Sequence, residues 1–204
     1  MYRLTNNDGS EALQSACEMY ERAASLFGMS KTFGLPGLRI GWVCSRDEEL
    51  VNMMLSFKDY ITICCPGPSE ILAIMGLRSE QQITERVMDI VKCNLDILDA
   101  FFADYHDIFV WSRPRAGTTA FVKIQGWLWD FCERRASNLS ELVAAEDGVL
   151  ILPGKAFDFE DQFFRVGFGR RNLPEVVDHF RNFLNRHKPN MLGESNVLLP
   201  SILH

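Results

Sequence analysis

Gly28-Met29-Ser30-Lys31-Thr32-Phe33-Gly34-Leu35-Pro36-Gly37-Leu38-Arg39-Ile40-Gly41-Trp42 sets one lysine just before a run of turn-forming residues and one arginine eight residues later. Gly34, Pro36 and Gly37 predict a tight turn, because glycine admits positive φ and proline pre-sets φ. Arg39-Ile40-Gly41-Trp42-Val43-Cys44 predicts a buried strand. That geometry carries the ammonium of Lys31 and the guanidinium of Arg39 towards one small volume. Two converging cations call for an anion, and phosphate suits arginine, whose planar fork binds two oxygens at once. A partly desolvated lysine beside a second cation also gives up its proton more easily, as an amine nucleophile must. Taken alone, the same residues could equally form a surface turn with two solvated charges.

The full string resembles the cofactor-lysine motif of the class I/II aminotransferases, the fold-type-I enzymes that use pyridoxal 5′-phosphate (PLP). The motif runs small, apolar, small, Lys, then Gly, apolar, Gly, Arg, apolar and Gly at fixed offsets, all occupied between Gly28 and Gly41. The resemblance implies that Lys31 carries PLP as an aldimine, that Arg39 binds its phosphate, and that Ser30 and Gly28 belong to the cofactor site. Many members have serine three residues before the lysine as a further phosphate ligand. Gly28 offers only a backbone N–H in its place. Tyr2-Arg3 matches the end of the family's Asp-Glu-x-Tyr-Arg string, which makes Tyr2 the tyrosine bonded to the cofactor's phenolic oxygen. The aspartate that pairs with the pyridine nitrogen would fall two residues before Met1. The resemblance therefore covers nearly the whole chain but only the second half of the family. The expectation is either a truncated product starting at an internal methionine or a site completed by another polypeptide.

Bulk properties narrow the partners. Of 204 residues, 47% are hydrophobic and 24% charged, which suits one soluble domain or two small ones. A net charge of −6 argues against nucleic acid or an anionic membrane surface. Arg113-Pro114-Arg115, Arg134-Arg135 and Arg170-Arg171 are brief and read as solvated faces. The six cysteines form no C-x-x-C pair, and the four histidines show no metal spacing, so no metal site is expected. Free thiols and an unremarkable N-terminus suggest the cytoplasm. No apolar run is long enough to span a bilayer.

Along the chain, 23–27 predicts a strand running into the lysine turn. Asp47-Glu48-Glu49 predicts a helix N-terminus, with Leu50, Val51, Met54, Leu55 and Phe57 on its apolar face. Ile61 to Pro68 is rich in breakers, and Ser69 is placed to cap the next helix. Val87, Ile90, Val91, Leu95, Leu98 and Phe102 keep a helical period from Ser79 to about Tyr105. Strands are expected at 108–111, 119–124, 149–152 and 163–169, and helices at 127–136, 139–146 (capped near Asn138) and from about Asn172. Residues 189–204 read as a loose tail.

Arg165 lies inside the aromatic run Phe163-Phe164-Arg165-Val166-Gly167-Phe168. A charge there is costly without a counter-charge. The run resembles the family's C-terminal strand, whose arginine clamps the substrate α-carboxylate. The competing reading is an edge strand with Arg165 facing water. Leu152-Pro153-Gly154-Lys155-Ala156-Phe157 matches the family's small-domain segment more weakly, and Lys155 reads as solvated.

The resulting expectation is an α/β chain: the C-terminal part of a fold-type-I PLP-dependent transferase large domain plus an α+β small domain. Its boundaries are 1–75 for the large-domain part, 76–105 for an interdomain helix, 106–188 for the small domain and 189–204 for the tail. The resemblance implies transamination between an α-amino acid and a keto acid, in a homodimer. Other PLP chemistry on the same scaffold (lyase, decarboxylase or amino-acid cyclase) and a non-catalytic fragment stay open. A chain of this extent would also expose unpaired strand edges near Leu26 and Ile40 and tend to aggregate.

Overall fold

The computed structural model describes residues 13–189 together with Asn6 and Asp8. Tyr2 and residues 190–204 lie outside the described residues. The chain divides into two units. One comprises residues 1–100, 112–120 and 166–173, and the other 101–111, 121–165 and 174–204.

The first unit is built on a hairpin. Strand β1 (Ala24–Gly28) and strand β2 (Gly41–Ser45) pair antiparallel, from Ala24 opposite Ser45 to Gly28 opposite Gly41. The directly opposed rings of Phe27 and Trp42 stack with centroids 6.0 Å apart. A one-turn helix, α1 (Ala16–Met19), precedes the hairpin. Ser45 Oγ donates to the Ala23 carbonyl at 2.9 Å and accepts from the Asp47 N–H at 3.1 Å. Asp47 then caps helix α2 (Glu48–Ile61), accepting from the Leu50 N–H at 3.0 Å, as the acidic start predicts.

One expectation fails here, and one apolar face finds no cover among the described residues. Strand β2 is mostly exposed rather than buried, because the sheet it belongs to has two strands among the described residues. Likewise helix α2 has no buried residue, and Phe57 on its apolar face is 64% exposed. Helix α3 (Gly67–Arg78) starts three residues earlier than the Ser69 cap implied, with Pro68 in its first turn where the missing N–H is no loss. Only Ala73 and Gly76 of α3 are buried.

Helix α4 (Glu80–Asp104) follows the predicted period closely. Val91, Leu95 and Leu98 are buried on one face, and Phe101 and Phe102 continue that face in the second unit. Asn94, buried on the same helix, donates from Nδ2 to the carbonyls of Phe168 (2.9 Å) and Arg170 (2.7 Å).

The second unit is organised by a four-stranded sheet in the order β3 (Phe109–Val110), β4 (Thr119–Ile124), β6 (Phe163–Gly167), β5 (Leu152–Pro153). Val122, Ile124 and Phe164 point to its buried face, as the period of two requires. Against them packs helix α7 (Leu173–His187), whose Phe180 lies 6.2 Å from the Phe164 ring. Helix α5 (Gly126–Phe131) is shorter than expected because Glu133 and Arg134 adopt φ of 54° and 59°, which ends the helix. Helix α6 (Ala136–Asp147) begins before Asn138 because its cap is remote: Asp161 Oδ1 accepts from the Ser137 N–H at 3.1 Å. Residues 149–151 are not strand; pairing is confined to Leu152 opposite Arg165 and Pro153 opposite Phe164.

Candidate active site

Lys31 and Arg39 flank the excursion between β1 and β2. The Met29 N–H donates to the Ile40 carbonyl at 3.1 Å, and the Leu35 N–H donates to the Met29 carbonyl at 2.9 Å. These bonds clamp the base of the turn. Lys31 sits two residues past the clamp on one side, and Arg39 sits one residue before it on the other. Inside the excursion, Gly34 takes φ of 64° and its N–H bonds the Lys31 carbonyl at 3.0 Å, a conformation glycine adopts freely. A 3₁₀ turn over Pro36–Leu38 follows and ends on Arg39 at φ 55°, ψ 32°.

Arg39 is therefore the last residue of the turn, not the first of the strand. The left-handed region disfavours a residue with a Cβ by roughly 1–2 kcal/mol. Here the side chain offsets that cost, since Arg39 Nη1 donates back to the Pro36 carbonyl at 2.9 Å. Beneath the turn, Met29 is fully buried and Gly76 of α3 lies directly against it. Thr32 and Gly28 are buried and Ser30 is half-buried. Lys31 and Arg39 are exposed, so the partial desolvation expected of Lys31 is not provided by the described residues. Neither cation has a carboxylate partner among the described residues. An amine and a guanidinium without counter-charge at one glycine-rich turn are a donor set that fits a phosphorylated aldehyde.

Arg165 belongs to the second unit. It is half-buried on β6, which lies between β4 and β5, so the edge-strand reading is corrected. Its guanidinium carbon sits 4.7 Å from the centroid of the Phe157 ring, a stacking contact that the sequence did not single out. The clue was present in the aromatic density of Phe157, Phe159 and Phe163 around Pro153-Gly154. Lys155 is exposed, as expected. Arg165 has no carboxylate partner among the described residues.

Other chemistry is sparse. All six cysteines are free, and burial pushes the Cys132 thiol up, which leaves it an inert core residue. No group of three or more His, Cys, Asp or Glu suited to a metal ion occurs among the described residues. No described helix is long and apolar enough to cross a membrane.

Comparison with known proteins joins these observations. The family "Aminotransferase class I and II" matches residues 9–180. Capreomycidine synthase of Streptomyces vinaceus is 31% identical over 151 residues, covering 72% of this chain and 36% of that protein. An aromatic aminotransferase of Arabidopsis thaliana is 27% identical over 178 residues, covering 81% of this chain and 40% of that protein. The crystal structure of a PLP-dependent aminotransferase from Streptococcus suis superposes with a TM-score of 0.79 at 28% identity, over 91% of this chain and 48% of that one. The chain thus spans less than half the length of these relatives. It belongs to the class I and II aminotransferase family of fold-type-I, PLP-dependent proteins.

Proposed function

We propose that the chain supplies the cofactor lysine and the substrate-carboxylate arginine of an aminotransferase acting on an α-amino acid. The observation that carries this is the clamped turn, which sets Lys31 and Arg39 on either side of the Met29–Ile40 bond with no carboxylate partner for either among the described residues. In this reading Lys31 Nζ would hold PLP, and Arg39 would bind its phosphate together with the backbone at Gly28 and the hydroxyl of Ser30. Tyr2 would bond the ring oxygen. When bound, PLP supplies the conjugated, electron-withdrawing ring that makes the substrate Cα proton acidic. With PLP in place, Lys31 Nζ would be the group that takes that proton and returns it as general acid/base. Arg165 holds the substrate carboxylate through a bidentate pair, which lysine could not match. The division into a large-domain part (1–75), a linking helix (76–105) and a small domain (106–188) is part of the same reading, as are a homodimer and the cytoplasmic location that six unpaired cysteines support.

The test is borohydride reduction of the chain incubated with PLP, followed by peptide mapping, with Lys31→Ala in parallel. Label at Lys31 that disappears in the variant is the expected result. Label spread evenly over the other lysines, unchanged by Lys31→Ala, would overturn the assignment. Appearance of a second amino acid from an added keto acid separates transamination from elimination, decarboxylation or cyclisation.

A further inference from the structure

The face of the second unit's sheet opposite its core carries an arrangement that goes further than a carboxylate clamp. Phe121 and Lys123 of β4, and Phe163 and Arg165 of β6, alternate with the buried Val122, Ile124 and Phe164, and so share that outer face. Phe157 stacks on Arg165 and meets Phe121 edge-to-face with centroids 5.6 Å apart. Phe159 lies 5.6 Å from Phe121 and 5.1 Å from Phe163. Phe121, Phe157 and Phe159 are 40%, 40% and 50% exposed, so a wall of apolar surface stands beside a guanidinium with no carboxylate partner among the described residues.

The loop that carries two of these rings is held firmly. A Cβ on Gly154 would fall 2.3 Å from the Glu160 carbonyl, so the backbone closes on itself there and only glycine fits. The Phe159 N–H donates to the Gly154 carbonyl at 3.2 Å, and Asp158 takes the left-handed φ of 54° that turns the chain. Asp158 and Glu160 lie in the same loop, yet neither pairs with Arg165 among the described residues.

We infer that Phe121, Phe157 and Phe159 form, with Arg165, a binding corner for carboxylates bearing a large apolar or aromatic side chain, and that Phe157 is the positioning residue for the guanidinium. The inference rests on the proposed carboxylate role of Arg165. A ring beneath the guanidinium carbon occupies its face and leaves its N–H edge to fork onto a carboxylate. The open ring faces of Phe121 and Phe159 then take an apolar group attached a few bonds away. A dicarboxylate would bring a second charge against apolar surface and is disfavoured.

The experiment is saturation-transfer NMR titration of the 204-residue chain with 3-phenylpropanoate, propanoate and succinate, none of which has an amine. The expected result is 3-phenylpropanoate binding at least about ten-fold tighter than propanoate, a ratio that corresponds to burying part of one ring. Succinate should be no tighter than propanoate. Arg165→Gln should abolish all binding. Phe157→Leu and Phe159→Leu should collapse the selectivity towards unity with the far-UV circular dichroism unchanged, while Phe157→Tyr retains it. Equal affinities in the parent chain, absence of binding, or selectivity surviving both leucine variants would overturn the inference. PLP labelling of Lys31 on the same samples keeps the two readings apart: label without selectivity removes the aromatic corner alone. Selectivity without label supports the corner and removes the lysine assignment.

Discussion

Gly76→Ala tests whether α3 sets the position of the lysine turn. An added Cβ would lie 2.8 Å from Met29 Cε and 3.2 Å from Leu35 Cδ1, inside the roughly 3.5–4.0 Å optimum for carbon pairs. Two effects oppose each other. Replacing glycine inside a helix gains about 1 kcal/mol. Overpacking a full site costs typically about 1–3 kcal/mol. Met29 Cε is the end of a flexible side chain, which favours the low end of that range, but Met29 is fully buried and Leu35 closes the other side. The net change in stability should therefore be small, between about zero and 2 kcal/mol of loss, while Met29 is displaced. Met29 is the residue whose N–H and carbonyl clamp the turn, so its displacement should slow PLP labelling of Lys31. Urea unfolding and labelling rates would be measured for Gly76→Ala, Met29→Ala and the double variant. The double variant, whose methionine no longer fills the site, should lose less stability than the sum of the singles by at least about 1 kcal/mol. Additive effects, or a Gly76→Ala chain stabilised by the full helix gain with unchanged labelling, would refute the reasoning.

Two further outcomes concern the second unit. Asp161 accepts from the Ser137 N–H and from Ser137 Oγ at 2.8 Å, so Asp161→Ala should cost about 1–2 kcal/mol in urea unfolding and loosen the start of α6 in hydrogen exchange. Glu146 is pushed up by burial but held, on balance, below the usual carboxylate range by hydrogen bonds from His187 (2.8 Å) and Arg186 (3.2 Å). A depressed folded-state pKa means this contribution is present above the ordinary glutamate range and lost as pH falls through the folded value. The cluster is partly exposed, so Glu146→Gln should reduce the acid loss of stability by only about 0.2–1 kcal/mol in urea unfolding at neutral and at acid pH.

What the sequence made legible followed from local rules. Helix α4 and strand β4 match their predicted spans because the periods of 3.6 and 2 act on residues close in the chain. The glycine-proline turn was equally readable, since Gly34 admits its φ of 64° freely and Pro36 fixes its own. The errors have causes that residue type alone does not show. The cap of α6 comes from Asp161, 24 residues away, so Asn138 looked like the natural start. Helix α5 stops at two left-handed residues, Glu133 and Arg134, whose types give no warning. Arg39 is the same kind of case: its left-handed backbone is sustained by its own bond to Pro36 rather than by a glycine.

The two units also differ in how far periodicity implies burial. In the second, Phe109, Ile124, Phe164, Phe180 and Phe183 are all buried, so the apolar pattern and the core coincide. In the first, Val91, Leu95 and Leu98 of α4 are buried, but Phe57, Ile71 and Met75 follow apolar faces of α2 and α3 and remain exposed. A sequence pattern states only that a face is apolar; burial needs a partner surface, and among the described residues those faces have none. Where Met29 is buried against the bare backbone of Gly76, the contact lies directly under the lysine turn. The support for Lys31 is thus a small packed site that no periodicity reveals. Its legible trace is a single glycine in the last turn of α3, inside the helix, where local propensity alone disfavours it.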